Sequence, residues 1–136
     1  MPARQFRVVA ALAVVVMTAM AATAFAQFGH PLKGTWIGEW GPNKDAQTHV
    51  VVELNWDGKA VTGTINPGAS GVPIKTATLN PATWAVHVEA DGKDRAGNAV
   101  RYVIDGKMEN IGAFARFITG TWTQGAVKGA FKITRT

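Results

Sequence analysis

Every second residue from Val50 to Trp56 is apolar: Val50, Val52, Leu54 and Trp56 stand opposite His49, Glu53 and Asn55. A period of two puts the two sets on opposite faces of an extended strand, one dry and one wet. The stretch Thr83–Ala90 repeats the pattern, with Trp84, Val86 and Val88 against Thr83, His87 and Glu89. Beyond Gln27 no segment spaces its apolar residues by three and four, as an amphipathic helix requires. Short runs rich in Val, Ile, Thr and Trp are broken instead by Gly, Asn, Asp and Pro, residues that turn a chain. The fold is therefore predicted to be all-β.

Eight strands are predicted, at Lys33–Trp40, Thr48–Trp56, Lys59–Ile65, Val72–Leu79, Thr83–Ala90, Ala99–Met108, Ala113–Thr123 and Ala126–Arg135. An apolar-x-Gly-x-apolar pattern recurs along them, as Leu32–Trp36, Val61–Ile65, Ile104–Met108, Ile118–Trp122 and Val127–Phe131. In a strand each of these glycines shares the inward face with its two large neighbours. Inward Gly lets a strand bend, or lets another group pass close by. A sheet that closes on itself needs both, and closure removes its two exposed edges. These signals predict a single eight-stranded antiparallel up-and-down barrel.

The connections suggest a cup. One end has short turns at Asp57-Gly58, at Asn80-Pro81 and from Asn110 to Gly112. The other has longer loops at 41–47, 66–71 and 91–98, with one tight turn at Gln124-Gly125. A closed base and an open mouth would place binding at the longer loops.

The N-terminus reads differently. Arg4 and Arg7 precede an uncharged run from Val8 to Ala26 that closes on Ala24-Phe25-Ala26, a small-x-small cleavage pattern. Residues 1–26 are read as a signal peptide, helical during export, and 27–136 as the mature barrel domain. The alternative is a retained membrane anchor, for which the run is barely long enough; its Ala-rich composition and cleavage pattern favour removal. The expected address is the periplasm or the extracellular space.

The chain has no Cys, which excludes disulfides, thiolate chemistry and a lipid-modified cysteine. Two of its fourteen basic residues lie in the signal segment. The remaining twelve face nine acidic ones, a net of +3. They are interspersed rather than gathered into a patch, so no nucleic-acid partner is expected. Outward positions such as Lys33, Glu39, Glu53, Lys75, Glu89, Lys128 and Lys132 argue that the mature form does not span a membrane.

Gly34-Thr35-Trp36 on the first strand, the eight-strand meander and Arg135 at the end of the last strand resemble the calycin superfamily of lipocalins and avidins. The resemblance implies that Gly34, Trp36 and Arg135 close the barrel base, with the Arg135 guanidinium packed over the Trp36 indole. Avidins carry an Asn two residues after that Trp, where this chain has Gly38, so no biotin site is implied. The second lipocalin motif and the cysteine pairs of many lipocalins are absent.

Parity places Trp36, Trp56 and Trp84 near the base, and Trp40, Tyr102 and Trp122 toward the mouth. The mouth group is the candidate site for a small apolar or planar ligand. The competing reading is that a barrel this small fills its interior with side chains. Arg116 shares a face with Phe114, Ile118 and Trp122, and an inward guanidinium needs a partner. It is read as an anion contact, a base clamp beside Arg135 or, ranked first, the site of a β-bulge that returns Phe117 to the core.

His49 with Glu53, and His87 with Glu89, are outward pairs, and His30 precedes the first strand. None of them converges on a metal site. Ser70, the only serine, lacks a nucleophile elbow. The sequence thus points to an exported binding protein without a cofactor, metal or assigned catalytic residue. The alternative is a protein-interaction or structural module of the cell envelope with a filled interior.

Overall fold

The fold is taken from a computed structural model that describes residues 29–136; the predicted signal segment lies outside them. Eight strands follow one another, β1 (Gly34–Gly41), β2 (Thr48–Trp56), β3 (Val61–Ile65), β4 (Val72–Leu79), β5 (Ala85–Lys93), β6 (Ala99–Glu109), β7 (Phe117–Gln124) and β8 (Val127–Arg135). Each pairs antiparallel with its sequence neighbours, and β8 returns to β1, so the sheet closes into an up-and-down barrel. The closing ladder matches Trp36 with Arg135 and Trp40 with Phe131. Among the described residues, every ladder and the buried core come from residues 32–136, one compact unit with its own apolar core.

The alternation read from sequence decides what is inside. Val50, Val52 and Leu54 of β2 are buried, as are Val86, Val88 and Ala90 of β5. The core is entirely apolar; among the described residues no polar or charged residue is buried. The outer wall carries exposed charges at Glu39, Glu53, Lys75, Lys128 and Lys132. Among the described residues no helix is long and apolar enough to cross a membrane.

Five predicted strand starts move, those of β1 and β8 by one residue and three others further, each for a local reason. β3 begins at Val61 instead of Lys59, because Asp57 Oδ1 accepts the amides of Lys59 and Ala60 and holds those residues in a turn. β5 begins at Ala85 instead of Thr83. Asn80 Oδ1 accepts the Ala82 amide, and Trp84 adopts a φ of 62° that takes it out of the strand. β7 begins at Phe117 instead of Ala113, since Asn110, at a φ of 57°, starts a turn in which its carbonyl accepts the Ala113 amide. β5 also runs on to Lys93, paired with Ala99, which shortens the loop after it.

These shifts remove the cup. Connections at the base cover 57–60, 80–84 and 110–116, against 42–47, 66–71, 94–98 and 125–126 at the other end. The two ends carry connections of similar length.

The bulge expected at Arg116 is elsewhere. The β7 ladders are regular from Phe117 onward, whereas the β4–β5 register slips between Ile74 and Thr76. Lys75 is the extra residue there, and it switches the inward parity of β4 from Val72 and Ile74 to Ala77 and Leu79. Phe117 faces outward, with Lys132 Nζ 4.6 Å from its ring centroid.

Candidate functional site

At the end of the barrel predicted to be the mouth, the three aromatic residues meet the core rather than an opening. Trp40 is the last residue but one of β1, Trp122 lies late in β7 and Tyr102 early in β6. The Trp40 and Trp122 rings stack with centroids 5.7 Å apart and an interplanar angle of 16°. Phe131 meets Trp122 edge-on at 5.9 Å. Trp122 is fully buried, and Trp40 and Tyr102 nearly so. Such stacked and edge-on pairs add to the stability that their buried area already gives.

Trp122 Nε1 donates to Gln124 Oε1 at 3.3 Å, so its one polar group is engaged within its own strand. Tyr102 packs toward Gly92 and Val72; a Cβ on Gly92 would stand 3.1 Å from its ring and 2.9 Å from Val72. Burial pushes the Tyr102 hydroxyl above the ordinary tyrosine pKa. Farther in, the Phe131 ring fills the space over Gly106, where a Cβ would lie only 2.9 Å from it. Gly92 and Gly106 therefore admit neighbouring side chains, whereas at Gly63, Gly120 and Gly129 a Cβ would meet the backbone of the adjacent strand.

The base is closed by its own set. Leu32, just before β1, is fully buried, and its carbonyl accepts the Trp36 indole N–H at 2.8 Å. The Leu32–Trp36 motif already held this residue, although its role as a plug was not read from it. Gly34 has a φ of 141°, a conformation that disfavours any side chain, and the Arg135 stem lies against it. Arg135 stands opposite Trp36 in the register, while its guanidinium lies over the Phe114 ring at 5.2 Å and its Nε donates to the Phe114 carbonyl at 3.3 Å. Arg116 precedes β7, half-buried, and its carbonyl accepts the Arg135 amide at 2.9 Å. Burial first, and the nearby Arg135 charge second, lower its pKa.

The outer surface carries two further features. A shallow hollow of about 520 Å³ runs over β1, β2 and β8 among Ile37, Glu39, His49, Ala130 and Lys132. A polar ladder crosses β5 and β6: His87 Nδ1 lies 2.5 Å from Asp105 Oδ1, Glu89 pairs with Arg101, and Arg101 reaches toward Asp91 at 4.0 Å. The hydrogen bond to Asp105 raises the His87 pKa, and the carboxylate charges of Asp105 and Glu89 add to it. Arg101 lowers that of Glu89. Sequence reasoning had paired His87 only with Glu89. The β5–β6 register places Asp105 directly across from it, a relation that hairpin pairing could have supplied. Among the described residues no three metal-binding side chains converge.

Compared with protein-family models, with curated proteins and with solved structures, the chain matches none of them.

Proposed function

We propose that this chain is an exported, non-catalytic module that binds a partner protein through the outside of a filled, calycin-like barrel. The observation that carries this reading is the Trp40–Trp122 stack, which occupies the space a lumenal ligand at the mouth would need. A barrel whose interior is its own core is left with its surface for recognition.

The hollow over β1, β2 and β8 suits that role. Ile37 is one of few large apolar side chains left exposed, and Glu39, His49 and Lys132 surround it. An apolar centre with a polar rim of both charge signs is the usual anatomy of a protein-binding patch. The test is photo-crosslinking in the exporting cell from position 37 and from position 102. The reading expects a discrete protein adduct from position 37 that Ile37→Arg abolishes in a second reporter placed at position 130. Adducts from neither wall position would overturn it.

One observation favours a second reading. A hollow of about 410 Å³ lies at the rim among Ser70, Pro73, Asp91 and Lys93, and Gly92 and Val72 separate it from Tyr102. A small ligand held there would lie behind Gly92 and Val72 from Tyr102. Its binding would shift the NMR signals of Val72 and Gly92, which the first reading does not expect.

A further inference from the structure

The connection 110–116 at the base reads Asn-Ile-Gly-Ala-Phe-Ala-Arg, an apolar sequence for a surface loop. Phe114 is 74 % exposed at its tip, the most exposed large apolar side chain among the described residues. It is held there rather than left loose. The Arg135 guanidinium lies over its ring, and Arg135 Nε binds its carbonyl.

The backbone of the tip is equally prepared. The carbonyl of Asn110 accepts the Ala113 amide, that of Ala115 accepts Asn110 Nδ2 at 3.5 Å, and that of Arg116 accepts the Arg135 amide. With the Phe114 carbonyl, four carbonyls of this connection are engaged within the protein. A loop entering an apolar medium must satisfy such groups internally, because water cannot do so there.

Charge completes the pattern. Arg135 lies on the tip itself, and Lys33, Lys59 and Lys107 belong to the same end of the barrel, against Asp57 and Glu109. From these relations we infer that the base end docks on an anionic phospholipid surface, with Phe114 inserted among the lipids and the flanking cations on their phosphates. Guanidinium groups match phosphate oxygens, and a cation beside an interfacial aromatic strengthens attachment to acidic lipids.

Charge favours lipid over a protein at this end, because acidic lipids present a uniformly anionic surface to its cations. The apolar area of the tip is small, one aromatic ring with Gly112, Ala113 and Ala115. It suffices for a shallow, reversible membrane contact. The inference goes beyond the wall-binding reading and uses other residues, so either can fail alone.

The test is flotation of residues 27–136 with phosphatidylcholine vesicles and with mixed phosphatidylcholine–phosphatidylglycerol vesicles. Binding to the mixed vesicles only, weakened by salt, is expected. Phe114→Ala should reduce it by about tenfold or more, from the apolar area no longer buried. Phe114→Trp should keep it, and Val127→Ser, at the opposite end, should leave it unchanged. Circular dichroism of each variant establishes that the barrel is intact. Equal binding by Phe114→Ala and the unaltered chain, loss in Val127→Ser, or no flotation with either vesicle would overturn the inference. Capture of a protein through Phe114 without flotation would overturn it as well.

Discussion

Trp40 and Trp122 lie face to face inside the barrel, 5.7 Å between ring centroids and both buried. They come from β1 and β7, strands that do not pair with each other. Both strands pair with β8, so the contact spans that strand on the inner face and, with Phe131 edge-on to Trp122, fills the interior at this end. Truncating Trp122 to Ala should cost about 3–5 kcal/mol, the range for removing a large aromatic from a packed core. Urea unfolding of the two proteins measures this. The variant should also bind apolar dyes that the unaltered barrel ignores.

The base depends on Gly34 as much as on Trp36. At a φ of 141°, and with Arg135 Cδ 2.9 Å from where a Cβ would stand, Gly34→Ala meets both backbone strain and a side-chain clash. A loss of roughly 1–3 kcal/mol is expected. Combining it with Arg135→Ala removes the clash but not the strain, so the double variant should lose less than the two single losses added together.

The seam between β3 and β4 is the weakest part of the wall. Its register holds only Thr64 with Pro73 and Ile65 with Val72, and Pro73 has no amide to donate. Amide exchange should be fastest there and slowest along β5–β6, where pairing runs unbroken from Ala85 with Lys107 to Lys93 with Ala99. Hydrogen–deuterium exchange by mass spectrometry checks the order. Protection of Val61–Ile65 equal to that of β6 would contradict it.

The His87 ladder gives stability a pH dependence of known sign. Hydrogen bonding to Asp105 raises the folded pKa of His87 above its ordinary value of 6.5. Its contribution is then complete below that value and is lost as pH rises through the higher folded pKa. Thermal melts from about pH 6 to about pH 8 should show a decline that His87→Gln flattens. A steeper decline in the variant would contradict the assignment. Because the group sits on the outer wall, the effect should be small and should shrink with salt.

The sequence carried the strand order and barrel closure well, because period-two patterning and turn residues are local. Val50, Val52 and Leu54 needed nothing beyond their own strand to be placed inside. The strand starts were less legible. Asp57 and Asn80 hold their turns through side-chain hydrogen bonds, which reclaim residues that propensity assigns to strands. The bulge at Lys75 left no mark in composition, so the parity of β4 could not be followed past it. The mouth group illustrates a different boundary. Parity turned Trp40 and Trp122 inward, but whether inward aromatics line a cavity or touch depends on barrel width and strand stagger. Those are properties of the closed sheet.

The central claim is that the interior of this barrel is its own core, so that recognition takes place on its surface. Native mass spectrometry of the protein recovered from its native host tests this most directly. The account predicts a barrel mass equal to the bare polypeptide, unchanged when the ion is activated. A stoichiometric small-molecule adduct that leaves on activation, and whose return to the purified protein shifts Trp122 emission, would contradict it.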